Sequence, residues 1–221
     1  MAPRTGPDEH IIAPPHLPPK LPPGGGPSGS LRDEDIIRQC TLTNIDVSIQ
    51  EARDVLIEQV HWQRCRLRSA RLLAAHIRDV RFSHCDLVQA VLDKVALQRA
   101  EFIDCRLTGL QANDGRFQDL LLRDCQGQYA GFAGGIFKGV RFERCIFRDA
   151  SFLEADLTGA LFLDCDLTNA DMLGAKLAGA DLRGSGITGL RVGLKEIQGL
   201  KVDLGQAAGL LQGLGATVIL D

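Results

Sequence analysis

The sequence predicts an all-β solenoid, a four-sided parallel β-helix closed by a short C-terminal helix and strand, and three observations carry that expectation. Taking Ile37 as the first centre, every fifth residue as far as Val192 falls in one class without an insertion. That makes thirty-two consecutive units, and only Ala52, Ala112 and Gly127 among the centres are small. All nine phenylalanines belong to this class: Phe82, Phe102, Phe117, Phe132, Phe137, Phe142, Phe147, Phe152 and Phe162. Chance would place them so with odds on the order of one in a few hundred thousand. Two residues before each centre lies a second class dominated by Ala, Val and Cys. It holds all seven cysteines, six of which (Cys65, Cys85, Cys105, Cys125, Cys145 and Cys165) are spaced by twenty. An α-helix brings like residues together every three or four positions and a half-buried strand every two, so neither keeps a period of five on one face.

Twenty is four fives, and the physical reading is a coil of four sides with two inward side chains per side, one large and one small. Coils stacked at the strand spacing of about 4.8 Å would make eight turns roughly 38 Å long. A single coil cannot bury its own apolar face, so the array is stable only as a stack.

Three segments follow in order. Residues 1–30 form a leader in which Pro14, Pro15, Pro18, Pro19, Pro22 and Pro23 precede Gly24 to Gly26. Such a composition cannot bury a core, and a mobile, disordered tail is the expectation, with a ligand for a proline-reading module as the alternative. Residues 31–194 are the coil. Residues 195–221 leave the five-residue grammar: Ala207, Leu210, Leu211 and Leu214 recur at helical spacing, and Thr217 to Leu220 reads as a brief strand. A helix laid across the last coil would cover its unpaired edge.

Composition is that of an ordinary globular chain, with 45% hydrophobic and 24% charged residues and a net charge of -3. That charge implies no direct binding to nucleic acid. The N-terminus lacks the apolar core of a signal peptide and no later stretch is long enough to span a bilayer, which points to a cytoplasmic location and no membrane contact.

The residues nominate no catalytic, cofactor or metal site. The cysteines show no Cys-x-x-Cys pair and no histidine at ligand spacing, so they read as small core residues. His76 and His84 fall at outward positions with no nucleophile beside them, and the glycine-rich run from Gly131 to Gly135 keeps the five-residue phase. Charge placement is more telling. Arg64, Arg66, Arg68, Arg71, Arg78 and Arg81 face one acid, Asp79, whereas Asp149, Glu154, Asp156, Asp164, Asp166, Asp171 and Asp181 face one base, Lys176. Two readings of the late acids stand: a consensus preference for Asp before the centre, or a surface imitating DNA phosphates. Ile103, Leu121, Leu161 and Leu163 flank centres on one side and form a candidate contact column.

Units such as Ala155-Asp156-Leu157-Thr158-Gly159 and Ala180-Asp181-Leu182-Arg183-Gly184 resemble the pentapeptide-repeat proteins, whose consensus is Ala, Asp or Asn, Leu and two variable residues. The resemblance covers residues 35–192 and implies a right-handed quadrilateral β-helix. The C-terminal segment is similar to that of the members that protect DNA gyrase from quinolones, where a helix and strand cap the coil and form a head-to-head dimer. From this follow the functional expectations: a non-enzymatic binding protein that protects a type II topoisomerase such as DNA gyrase from inhibitors, conferring antibiotic resistance or self-resistance, with a general protein-interaction scaffold as the alternative. The seven late acids would bind the partner. Ala207, Leu210, Leu211, Leu214, Val218, Ile219 and Leu220 would form a homodimer through the cap.

Overall fold

In the computed structural model, which describes residues 12–24 and 30–219, the five-residue period becomes the side of a coil. Strands β1 (Ile36–Thr43), β2 (Glu51–Arg53), β3 (Leu56–Gln63), β4 (Arg71–Leu73), β5 (His76–Ser83), β6 (Ala96–Ile103), β7 (Arg116–Arg123), β8 (Ile136–Glu143) and β9 (Leu161–Leu163) are followed by one helix, α1 (Leu204–Gly213). They form a seven-stranded parallel sheet in the order β1-β3-β5-β6-β7-β8-β9 and a two-stranded sheet β2-β4. Registers join residues twenty apart, as in Ile57↔Ile77 and Trp62↔Phe82. Isolated bridges carry the same offset through Asp46↔Arg66 and Arg71↔Val91 as far as Asp181↔Lys201.

The four sides can be named by four consecutive centres: Trp62, Leu67, Leu72 and Ile77. Each of these is buried, as are the small residues two before them, Val60, Cys65, Ala70 and Ala75. Both inward classes of the sequence therefore line one continuous core. The chain turns each corner at the residue two after a centre, which takes a left-handed backbone: Arg64, Ser69, Ala74 and Asp79 have φ of 52°, 51°, 54° and 55°. That conformation costs a non-glycine residue about 1–2 kcal/mol, and the ladder bonds above and below hold it.

The core is tightly fitted where the phenylalanines concentrate. Phe117 stacks on Phe137 and Phe142 on Phe162, with centroids 4.4 and 4.6 Å apart, while Phe142 meets Phe147 edge-on at 5.4 Å. Gly127, a small centre, is small because the Phe147 ring from the next coil occupies its space: a β-carbon there would lie 2.5 Å from that ring. All seven cysteines are free and buried. The thiols of the twenty-residue column each donate to a carbonyl twenty-three residues earlier, such as Cys85 Sγ to Trp62 O at 3.5 Å.

Both ends are covered. At the start, Pro23 bridges Thr41, Thr41 N donates to Pro22 O and Gly24 N to Thr41 O, both at 2.8 Å. Leu31 is buried there as well. Residues 12–24, part of the leader expected to be mobile, thus lie against the coil, whereas residues 1–11 and 25–29 fall outside the described residues. At the other end, Asp203 caps α1 and forms a reciprocal capping box with Gln206. The Gln206 amide donates to Leu182 O at 2.6 Å and Ser185 O at 2.7 Å, fastening the helix to the last coil.

The brief strand expected from Thr217 is not formed: residues 217–219 make no ladder, and Leu220 lies outside the described residues. A run of three or four β-formers needs a partner edge, and α1 already lies across the end of the coil. No helix among the described residues is long and apolar enough to cross a membrane.

Candidate partner-binding surface

Because corner and flanking residues stack directly on their counterparts twenty positions away, the outer charges meet in columns. Glu58 lies between Arg38 and Arg78 and is paired with both. Arg66 pairs with Asp46, Arg71 with Glu51, Arg81 with Glu101 and Arg144 with Asp124. The early basic region is therefore largely neutralised by its own neighbours. A signal for this was present in the sequence, since opposite charges recur at an offset of twenty, but it appears only when the coil length is used as the reading frame.

The late acids do not come together, and only some of them pair along a column. Asp164 and Asp181 are on the Trp62 side, Asp149 and Asp166 on the Leu67 side, Glu154 and Asp171 on the Leu72 side, and Asp156 on the Ile77 side. Four are ion-paired: Asp156 with Lys176, Asp166 with Arg148, Asp171 with Arg191 and Asp181 with Arg183. The carboxyls of Asp156 and Asp181 are held below the usual range, the first chiefly by the Thr158 hydroxyl and the second by the Arg183 guanidinium. Asp149, Glu154 and Asp164 are exposed at three different corners. Of the contact column, Ile103, Leu121, Leu161 and Leu163 are all half-buried on the Trp62 side, with Leu121 beside Ile12 and Pro14 of the leader.

The cap residues divide. Leu210 is buried against the coil, and Ala207, Leu214 and Val218 are half-buried. Leu211 and Ile219 remain exposed, at 48% and 80%. Leu220 falls outside the described residues.

Residues that carry no pattern in the linear sequence line a groove of about 610 Å³ along the Ile77 side. One column of its lining places Ala96, Arg116 and Ile136 in register with Leu56 further along it, and the facing column carries Arg78 and Lys138. Among the described residues no carboxylate lies within ion-pair distance of Arg116 or Lys138. From Arg38 to Lys138 the groove crosses five coil steps, about 24 Å.

Chemistry-bearing clusters are sparse. No group of His, Cys, Asp and Glu among the described residues could hold a metal ion. His61 Nε2 lies 3.0 Å from Ser83 Oγ on the flat Trp62 side, and burial followed by the Arg81 charge lowers its pKa. His84 Nδ1 bonds Asp104 at 2.7 Å with both groups exposed.

Two family models match the chain, the pentapeptide repeat region over residues 75–152 and the pentapeptide repeats over residues 145–184. The chain is a pentapeptide-repeat protein. No curated protein matches it in sequence. Among solved structures, this pentapeptide-repeat chain is similar to HetL, a member involved in heterocyst differentiation regulation in the cyanobacterium Nostoc sp. The identity is 17%, with 76% of this chain and 87% of HetL covered and a TM-score of 0.41. It is also similar to trypsin-treated QnrB1, a plasmid-mediated fluoroquinolone resistance protein, at 18% identity, with 85% and 99% covered and a TM-score of 0.34. A third likeness is to a pentapeptide repeat protein of the Arabidopsis thaliana thylakoid lumen, at 18% identity, with 54% and 67% covered and a TM-score of 0.26.

Proposed function

We propose that this chain is a non-enzymatic protein-binding rod. The observation that carries the reading is the contrast on its surface: charge columns that satisfy themselves, interrupted by a groove in which Arg116 and Lys138, without a carboxylate partner among the described residues, stand beside the apolar Leu56, Ala96 and Ile136. Such a groove offers field complementarity to an acidic segment and apolar area beside the charges. The test is binding of a labelled octaglutamate peptide, read by fluorescence polarisation at low and moderate salt. Saturable binding that is lost in Arg116→Glu with Lys138→Glu supports the reading, and binding that ignores those changes removes it.

The narrower reading makes a type II topoisomerase such as DNA gyrase the partner and protection from its inhibitors the role. Family resemblance and the excess of acids between residues 149 and 181 support it. The dispersal of those acids over four sides, four of them already paired, speaks against a single DNA-like stripe, so the general reading has the better geometric footing. Gyrase supercoiling with a fluoroquinolone, with and without the protein, distinguishes the two. Protection that disappears on reversing Asp156, Asp166 and Asp171 to Lys establishes the narrower reading. No protection and no binding to the enzyme leaves the rod with another partner.

A further inference from the structure

The leader is built from three copies of one pattern, Ala13-Pro14-Pro15-His16, Leu17-Pro18-Pro19-Lys20 and Leu21-Pro22-Pro23-Gly24. Residues 13–16 follow the corner between the Ile77 and Trp62 sides along the coil axis, whereas residues 22–24 run beside β1 at Thr41. His16 N donates to Asp79 Oδ1 at 2.9 Å, His16 O accepts from Gln59 Nε2 at 3.1 Å, and Ala13 N points at Asp119 Oδ1 at 3.4 Å. Asp79 is gripped by Arg99 of the coil through two bonds of 2.7 Å, which orients the acceptor independently of the leader.

The spacing of strap and coil agrees. Asp79 and Asp119 are two coil steps apart, about 9.6 Å. A polyproline II chain makes one turn in three residues and rises about 9.3 Å in doing so. Ala13 and His16 therefore present their N–H groups to the same side at the spacing of the two carboxylates. Pro14 and Pro15 between them have no N–H to leave unsatisfied and are already extended, which lowers the entropy lost on docking.

We propose that this corner is a binding site for proline-rich extended segments, occupied in cis by residues 12–24 and open in trans to a partner's segment of the same Pro-Pro spacing when the leader is released. The structure supplies the occupant's chemistry: an extended chain with a Pro-Pro pair between two N–H donors, apolar along one face and without an acidic group at the Asp79 contact. The inference is independent of the groove on the Ile77 side.

Trypsin cleavage after Lys20 in the full chain tests the proposal, since a docked strap is cut only from its released population. His16→Pro removes the donor to Asp79 without touching the coil, and it should speed cleavage after Lys20 by about tenfold, the loss of one hydrogen bond to a charged group. Asp79→Asn should act in the same direction. A synthetic peptide of residues 12–24 carrying Lys20→Gln, added at millimolar concentration, should accelerate cleavage of the parent chain. A peptide of the same composition with its prolines separated should not. Cleavage of the parent as fast as that of His16→Pro would show that the strap is not docked. Acceleration in the variants but none by the peptide would show a fixed anchor without exchange. Equal action of both peptides would show no Pro-Pro reading. Each of these three results overturns the proposal.

Discussion

Ser185 Oγ donates to Phe162 O at 3.0 Å, the bond that Cys165 Sγ makes to Phe142 O one coil earlier at 3.5 Å. The last member of the cysteine column is thus a hydroxyl, which shows what the column requires: a small side chain with one donor. Cys145→Ser should keep that bond and cost about 1 kcal/mol in urea unfolding. Neighbouring thiols and burial push Cys65, Cys125 and Cys165 well above the ordinary thiol range. All seven cysteines are buried, so the native protein should react slowly with a thiol reagent and titrate fully once unfolded. Rapid native labelling of the column would contradict its burial.

Gly127 and Phe147 share one volume. Gly127→Ala should cost about 1–3 kcal/mol through overpacking, and the cost should shrink in a Phe147→Leu background, where the ring no longer fills the space. A double-mutant cycle reads the coupling directly, and additive costs would mean that the ring moves aside freely.

Trp62 is fully buried with its indole N–H unpaired, stacked 5.9 Å from Phe82. An unsatisfied buried donor costs about 1–3 kcal/mol, so Trp62→Phe removes a penalty while it loses some packing area. The expected net change is within about 1 kcal/mol, against about 3–5 kcal/mol lost in Trp62→Ala. Equal losses in the two variants would show that the N–H has a partner.

These particulars mark what was legible in the sequence. The interior followed from the period of five because inward positions tolerate only apolar or small residues, as at Trp62 and Cys65. The corners did not: Arg64, Ser69, Ala74 and Asp79 share a backbone conformation but no chemistry. The leader read as a free tail because Pro-Pro pairs lack the N–H groups of a continuous ladder, yet its docking needs only isolated donors such as His16 N and Gly24 N and acceptors such as His16 O and Pro22 O. The dispersal of the acids from Asp149 to Asp181 over four sides already follows from a coil length of twenty, whereas the pairing of four of them with Lys176, Arg148, Arg191 and Arg183 does not. Arg116 and Lys138 stand out only by what does not stack on them.

Acid should weaken the fold in two stages. His61 titrates below its ordinary value of about 6.5, so the unfolded chain takes up that proton first, and stability should begin to fall as pH drops below about 6.5. Asp79, Asp156, Asp166 and Asp181 also titrate low. At Asp79 burial acts upward and is outweighed by Arg99 and the His16 N–H. Their contribution is present above the unfolded value of about 3.9 and is lost as pH falls through the lower folded values. Thermal midpoints measured from pH 8 to pH 3 should show both steps, and His61→Gln should remove the first. A midpoint unchanged between pH 7 and pH 5 in the parent would exclude the His61 step.

The proposed homodimer depends on which cap residues are still available. Leu210 is committed to the last coil, and Gln206 anchors the helix beside it, so neither can serve a second chain without undocking α1. Leu211 and Ile219, with Leu204 exposed at the start of the helix, form the apolar surface that remains. Leu211→Glu with Ile219→Glu should therefore yield a monomer that melts close to the parent, because neither side chain supports the coil. Leu210→Glu should instead lower the melting temperature, since it places a charge against the apolar end of the core. Light scattering decides the matter at micromolar concentration: a monomeric parent ends the dimer proposal, and a dimer that survives the paired substitution moves the interface away from the cap.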